Sequence, residues 1–537
     1  MGTQSSDRYA GADSELGPED LRDAADHGLG ADEVARQLAL LRSPPPPTRL
    51  LRPCIPGDGV EVLSAAAVER CLEAHRRAAA AGRLTCFVPA SGAASRMFQA
   101  LQSVRGGGED ARRSDLERRA GAGDANARSA LELIDGIERL ALADEIEECL
   151  SARRIELRSV RASGSLAPLL GVLLDPSGLD LGERAKGLLA FHRSAEGVRT
   201  AFEEHLVDAA LYGRSADGVV RLHFTVSEAH REAFAAVLER VRATYERRFD
   251  VHYDVAFSTQ SPATDTVAVD LEGRPFRDAA GRLLFRPGGH GALIANLGSL
   301  GADLLFIKNI DNVVPDHLKP PVVHWKKVLA GRLVQLVERA HDVLGRLASD
   351  RERAVAAGLD LLSGELGIRA PQGLGDASLT ERAAWIASHL DRPIRVCGVV
   401  RCEGDPGGAP FWVPDRAGEG SPQIVETAQI DGRDPAQVAI HRSATHFNPV
   451  DLVCSLRDHR GRAFDLARFV DSEAVFIAEK SSGERSLKAL EHPGLWNGAM
   501  ARWTTLFVEV PAETFHPVKT INDLLAPDHQ PPAERAR

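Results

Sequence analysis

No apolar run in this chain reaches the roughly 18 residues that a bilayer-spanning helix requires, and the N-terminus carries no signal-peptide apolar region. A cytoplasmic protein with no membrane partner is therefore expected. Basic excess is missing too. The formal net charge is −11, whereas a nucleic-acid-binding face needs a basic surface to displace counterions, so no nucleic-acid partner is expected. Cysteine pairing is absent as well. The seven cysteines (Cys54, Cys71, Cys86, Cys149, Cys397, Cys402, Cys454) are scattered, odd in number and without C-x-x-C spacing. They read as reduced core thiols rather than as zinc ligands or disulfides. What remains is a 537-residue chain with 44% apolar and 26% charged residues, enough for one large core or two to three domains of an ordinary globular protein.

Strand and helix signals alternate along the chain. Residues 1–18 are polar and Gly/Ser/Asp-rich and are expected to be disordered. Residues 19–82 form an N-terminal helical segment, with a helix over 31–41, the polyproline spacer after Ser43 and a helix over 65–81. Residues 83–320 form an α/β core with a helical insertion near 100–180, in which 106–123 is a Gly/Arg-rich linker. Helices are expected over 127–140, 144–152, 200–211 and 228–246, the last two amphipathic, with strands over 85–89 and 219–226 and a β-ribbon over 265–285. Residues 321–392 are expected to be a helical insertion, with a long helix over 324–349, a loop over 366–375 and a helix over 376–390. Residues 393–525 continue the core with a β-rich part, including a turn at Gly404–Gly408, and 526–537 form a loose tail. The fold class is α/β with a mainly parallel central sheet.

Two stretches carry the chemistry. Phe87–Phe98 (FVPASGAASRMF) is an apolar strand that breaks into small residues and then presents Arg96. Small residues let backbone approach a polyphosphate, and a planar guanidinium bridges two phosphate oxygens. No Gly-Lys-Ser/Thr follows, which excludes a P-loop. Phe285–Val314 places a Gly-Gly-His-Gly turn ahead of a buried-type strand ending at Asp311. Asp311 is either a Mg²⁺ ligand of the kind that works with phosphates, or a helix cap or loop carboxylate. His290 is either a solvated turn residue or part of a cradle for a base or ribose.

In chain order these pieces resemble the UDP-sugar pyrophosphorylases, nucleotidyltransferases of GT-A-like, Rossmann-type fold. The basic residue of that family's first loop is matched by Arg96 after Ser91, Gly92, Ala93, Ala94 and Ser95. The family's Pro-Lys-like segment is similar to the one at Lys186, and its Thr-Ser strand end to His223–Ser227. Gln260 stands in a Phe-x-x-Gln echo, and Gly289 and His290 in the Pro-x-Gly-x-Gly turn. The segments around Cys397–Arg401, Gln423–Thr427 and Phe447–Asn448 resemble sugar-contacting segments. Phe515–Leu525 (FHPVKTINDLL) resembles the Phe-x-Pro-Val-Lys-x-x-x-Asp-Leu-Leu run near that family's end. The wording FVPASGAASRMF, RPGGHGALI, KNIDNVVPD, THFNPVDLV, GLWNGAM and PVKT is closer still to a bacterial family called "domain of unknown function 4301", of which the chain is identified as a member. The chain departs from the enzymes in having Gly92 as the one glycine of its first loop. It also departs in the long stretch between that loop and Lys186, and in the helices after Asp311.

The resemblance implies a nucleoside triphosphate of UTP type and a sugar phosphate as small-molecule partners, Mg²⁺ as cofactor, and transfer of the nucleotidyl group with release of pyrophosphate. It assigns Arg96, Lys186 and Lys519 to the reacting phosphates and Asp311 to the metal. It assigns Ser91–Ser95, Gln260, Gly289 and His290 to the nucleotide, and Glu426 and Asn448 to the sugar. For the last residues the plainer readings are that Lys519 is a surface cation, that Glu426 pairs with an arginine and that Asn448 caps a turn. A glycosyltransferase using a nucleotide sugar, or a non-catalytic nucleotide-sugar-binding protein, are the alternatives within the same fold.

Overall fold

The computed structural model describes residues 16–105, 111–195, 197–402, 407–414, 418, 420–483 and 485–532. The chain divides into two compact units, each assembled from separated stretches. Residues 79–258, 308–327 and 512–537 make one, called here the lysine unit, and residues 1–78, 259–307 and 328–511 make the ribbon unit. The sequence-predicted segments end elsewhere because hydrophobic periodicity finds elements and is silent on which distant stretches share a core. The expected disordered start and loose tail lie outside the described residues at 1–15 and 533–537, as do positions 404–406 of the predicted turn. Within the remainder of those ends, a helix already begins at Pro18, and His529 is buried.

In the lysine unit, strands Leu84–Pro89, Val219–Thr225 and His252–Ser258 run parallel, side by side. Parallel neighbours need a crossover, and the helix Arg231–Phe249 provides the one between the last two. Register pairs Pro89 with Thr225 and Thr225 with Ser258. The carboxyl ends of the three strands therefore finish level, and the loops that leave them emerge together, where α/β sheets bind ligands. After the first loop the chain makes an excursion of helices, Gln99–Arg105, Arg113–Gly121, Ala125–Gly136, Ala143–Ala152, Leu157–Ser163 and Ala167–Leu174. Arg113–Gly121 corrects the expected linker. Its Leu116 is buried and its arginines pair along the helix, Arg118 with Asp115 at 2.7 Å; residues 106–110 lie outside the described residues.

Helix Ala201–Tyr212 opens with a capping box between Thr200 and Glu203. Expected to be amphipathic, it has no exposed face, because its acids Glu204 and Asp208 are turned onto buried cations.

The ribbon unit has a row of strands in the order Ile55–Pro56, Gly59–Glu61, Thr504–Glu509, Ile394–Arg401, Asp451–Ser455 and Leu304–Lys308. Ile394–Arg401 is parallel to Thr504–Glu509 and antiparallel to Asp451–Ser455. A second, antiparallel sheet holds Phe285–Arg286, Thr266–Val269, Arg485–Glu491 and Phe476–Ser482, and contains the expected ribbon. A third joins Arg52–Pro53, Ala409–Pro414 and Gly420–Val425.

The long helix starts at Lys319, not His324, since Pro320 and Pro321 are tolerated in a first turn, and it ends at Arg346. Residues 328–346 of it are not an accessory insertion. Leu329, Leu333 and Leu336 are fully buried, and a Cβ on Gly331 would lie 1.7 Å from the carbonyl oxygen of Cys71. This part of the helix is core of the ribbon unit. A helix Arg351–Leu359 and the π-helical turn Asp360–Glu365 that follows it were not anticipated.

Candidate active site

The small-residue loop leaves the end of Leu84–Pro89 and is fastened twice. Ala94 donates its N–H to the carbonyl of Arg184 at 2.9 Å, and Lys186 donates its N–H to the carbonyl of Gly92 at 3.1 Å. The excursion thus returns to its own point of departure, which explains how a lysine so far along the chain comes to stand beside the loop. Ser91, Gly92, Ala93 and Arg96 are exposed and Ser95 is half-buried. Arg96 makes no ion pair within the described residues and is open to an anion. A Cβ at Gly92 would meet nothing within 4 Å, so the loop is open there and its local packing does not itself demand glycine.

Lys186 and Asp311, 125 residues apart in sequence, meet with Lys519. Asp311 Oδ2 accepts from Lys186 Nζ at 2.8 Å and from Lys519 Nζ at 3.0 Å. Backbone contacts fix this meeting. Val518 donates its N–H to the Asp311 carbonyl at 3.0 Å, His516 donates its N–H to Asn312 Oδ1 at 3.2 Å, and His205 Nε2 lies 3.2 Å from the Ile310 carbonyl. The C-terminal segment therefore folds back onto the residues after Lys308 and carries Lys519 with it.

Burial alone would raise the Asp311 carboxyl, but the two ammonium charges outweigh that and hold it below the ordinary range. Burial, reinforced by the Lys519 charge, lowers Lys186 against the opposing pull of Asp311. Lys186 and Lys519 share Asp311, and the Asp523 carboxylate, which accepts the Lys519 and Thr520 N–H groups at 2.7 Å, stands beside them; the two ammonium groups are the phosphate-binding elements of the cluster.

Asp311 Oδ1 is buried without a hydrogen-bond partner. Among the described residues no three His, Cys, Asp or Glu side chains gather into a metal shell. The residues fit Mg²⁺ in one arrangement only, with Asp311 Oδ1 as the protein ligand and phosphate oxygens supplying the rest.

A buried ionic network lies in the same unit. Asp208 accepts from Lys308 at 2.8 Å and Lys319 at 2.7 Å. Glu204 pairs with Lys319 at 2.7 Å and with His192 Nδ1 at 3.0 Å, and His192 Nε2 lies 2.9 Å from His529 Nδ1. Sequence reading missed these residues. The signal was there in Glu204 and Asp208, one helical turn apart in a helix whose remaining positions, Glu203 and His205 aside, are apolar or aromatic.

In the ribbon unit the Gly-Gly-His-Gly turn is packed too tightly for side chains. Gly289 has φ +76°, and a Cβ on Gly291 would sit 2.1 Å from the Pro493 carbonyl. This packing sets His290 on Trp496 with ring centroids 4.2 Å apart, and His290 Nδ1 accepts the Leu495 N–H at 3.1 Å. The proton therefore sits on Nε2, and burial lowers the ring to about 4. Burial raises the Glu426 carboxyl, and Asn497 Nδ2 donates to the Ile424 carbonyl at 3.2 Å on the strand that leads into it.

Among the described residues Glu426 has no arginine partner, contrary to the plainer reading. Asn448 does cap a turn: its Nδ2 donates to the Gly398 carbonyl at 2.8 Å and its Oδ1 accepts the Val450 N–H at 3.0 Å. It thereby holds Val450 at φ 59°, a strained value for a β-branched residue. Gln260 Nε2 lies 3.4 Å from Asp265 Oδ1. The residues of the loop, Lys186, Asp311 and Lys519 belong to the lysine unit, and Gln260, Gly289, His290, Glu426 and Asn448 to the ribbon unit.

Residues 18–530 match the model of the family described as domain of unknown function (DUF4301). The chain belongs to this family. No curated protein matches this DUF4301 chain. Solved structures similar to it include the uridine diphosphate N-acetylglucosamine pyrophosphorylase from Trypanosoma brucei in complex with inhibitor, at 12% identity and TM-score 0.47, covering 98% of this chain and 85% of that one. UDP-glucose phosphorylase from Trypanosoma brucei is similar at 13% identity and TM-score 0.44, covering 95% and 80%. No helix of the described DUF4301 residues is long and apolar enough to cross a membrane.

Proposed function

We propose that this DUF4301 protein transfers a nucleotidyl group from a UTP-type triphosphate to a sugar 1-phosphate. One observation carries the reading: Lys186 and Lys519 converge on the buried Asp311, in the same unit as a loop whose free cation is Arg96. The ordered motifs that resemble the UDP-sugar pyrophosphorylases support it. In the reaction, a phosphate oxygen of the sugar phosphate attacks the α-phosphorus, a new P–O bond forms, and the bond to the β-phosphate breaks to release pyrophosphate. The attacking oxygen is already ionised, so no general base is required, and positioning with charge neutralisation is the protein's task.

Lys186 and Lys519 would turn from Asp311 to phosphate oxygens, and Arg96 would hold the leaving pyrophosphate. Asp311 would hold Mg²⁺, which supplies further neutralisation of phosphate charge. Within the lysine unit, Ser91–Ser95 would hold the nucleotide. Asn448, with both ends of its amide on backbone, shapes its own turn in the ribbon unit. Exchange of labelled pyrophosphate into a nucleotide sugar, dependent on Mg²⁺, tests the activity. Exchange absent for every nucleotide and sugar tried would sink it.

The strapped loop favours one second reading, a binding protein without turnover, because the Ala94 N–H is already engaged by Arg184 and is withheld from phosphate. Tight nucleotide-sugar binding without exchange would select it.

A further inference from the structure

The buried imidazole pair of His192 and His529 belongs to the lysine unit and has no task in the proposed chemistry. We infer that the two histidines are positioning residues for Lys519: their contact fastens the loop that carries Lys519 to the same short stretch that carries Lys186. The inference rests on the nucleotidyl-transfer reading for the phosphate that Lys519 would meet.

Residues 516–529 form a loop whose ends return to each other. His516 Nδ1 lies 3.2 Å from Asp528 Oδ2, and the His516 and His529 rings meet edge to face with centroids 6.4 Å apart. Lys519 stands inside this loop. The outgoing side is fastened to the residues after Lys308, by the His516 N–H on Asn312 Oδ1 and the Val518 N–H on the Asp311 carbonyl. On the returning side His529 Nδ1 lies 2.9 Å from His192 Nε2, with the two rings 6° from parallel.

His192 stands on the strand Ala190–Ser194, a few residues beyond Lys186. The stretch from Lys186 to His192 therefore meets the loop at both of its ends. Lys186 shares Asp311 Oδ2 with Lys519, and His192 holds His529. One contact would set the place of the loop and leave it free to pivot, whereas two set its direction as well.

His192 is itself immobile. Its Nδ1 lies 3.0 Å from Glu204 Oε1, and the other oxygen of Glu204 is paired with Lys319 at 2.7 Å and Arg199 at 3.6 Å. His192, Glu204, Arg199, Lys319 and His529 are all buried. Burial, reinforced by His192 and His516, lowers the His529 ring to about 3, so at neutral pH the pair meets as a hydrogen bond and not as two like charges. An apolar pair could fill the same volume. Facing ring nitrogens also fix the rotation of both rings, because a hydrogen bond weakens steeply as it bends.

The test is a double-mutant cycle on the full chain, with calorimetric binding of inorganic pyrophosphate and Mg²⁺ at pH 7.5 and urea unfolding of every variant. His529→Phe keeps a ring and removes the nitrogen. It should weaken pyrophosphate binding about fivefold in the parent background and less than about twofold when Lys519→Ala is already present, the lysine it acts through being gone. His529→Asn, which returns a polar atom near the position of Nδ1, should restore most of the parent affinity. Should His529→Phe not be recovered folded, His529→Ala, which leaves room for water at His192 Nε2, takes its place in the cycle. A merely structural His529 would lower affinity by the same factor with or without Lys519. Equal factors in the two backgrounds, or undiminished affinity in the folded variant, overturn the inference and leave the nucleotide reading intact. Failure of the folded parent to bind pyrophosphate or any nucleoside triphosphate overturns both.

Discussion

Asp208 and Asp311 each receive two lysines, and the difference between them lies in what water can do. Asp208, Lys308 and Lys319 are all buried, so removing the central charge strands two ammonium groups in the interior. Asp208→Asn should cost about 3–5 kcal/mol in urea unfolding, the range for breaking a buried pair from one side. Burial opposes the Asp208 charge but the two lysines prevail and lower its carboxyl. Its stabilisation is therefore fully present above the unfolded-state value near 4 and is lost as pH falls through the lower folded one. The gap between parent and Asp208→Asn should accordingly narrow below about pH 4.

At Asp311 the partner Lys519 is 58% exposed at its side chain and can return to solvent. Lys519→Ala should thus alter stability by less than about 1 kcal/mol but weaken phosphate binding by about 1.5–3 kcal/mol. Equal losses in both measurements would place Lys519 in the scaffold. His290 adds a pH sensitivity of the same sign in a higher window: buried neutral, with its ring lowered to about 4, it contributes stability that is complete above about 6.5 and lost as pH falls toward 4. A His290→Gln variant should lose that part of the acid sensitivity.

Among the elements, the C-terminal segment and the long helix deserve separate trials. Truncation after Glu513 removes Val518 and Lys519 from Asp311, and activity should disappear even where folded protein is recovered. Retained activity would detach the segment from the site. Replacing residues 321–392 by a short linker should abolish soluble protein, since Leu329, Leu333 and Leu336 are fully buried and each contributes about 1.5–3 kcal/mol by burial. Recovery of folded protein would return the helix to the status of an accessory.

Legibility followed the same division. Strands such as Leu84–Pro89 and Val219–Thr225 could be read to within a residue, the first from a short apolar run and the second from its alternation of apolar and polar residues, which matches its alternating burial. The meeting of Lys186, Asp311 and Lys519 was legible as a shared chemistry, the geometry only afterwards. Helix Ala201–Tyr212 was misread because acids paired inside a core look like acids facing water until their partners are known.

For the whole molecule, a net charge of −11 coexists with the two lysines on Asp311 and the exposed Arg96 of the lysine unit, so affinity for anions should be confined to those cations. The chain should bind nucleoside triphosphates yet pass unretained through a polyphosphate-mimicking cation-exchange resin at neutral pH; retention would reveal a basic face elsewhere. Each unit is built from three stretches of sequence, so neither corresponds to a contiguous fragment that could be expressed by cutting the gene once.

The strap between Gly92 and Lys186 makes the helical excursion a ring closed at its base. The ring also reaches forward: Asn522 Nδ2 donates to the Ser129 carbonyl at 2.9 Å, and a Cβ on Gly136 would lie 2.6 Å from Leu525 Cδ1. From Lys186 the path runs through Asp311 to Lys519, along the C-terminal turn to Ser129, and through the helices back to the strap. The cluster is thus one node of a closed circuit with no free end. A load applied at the outer helices is shared by both lysines instead of being dissipated by a fraying terminus, so the spacing of the two ammonium groups is a property of the whole loop rather than of either side chain.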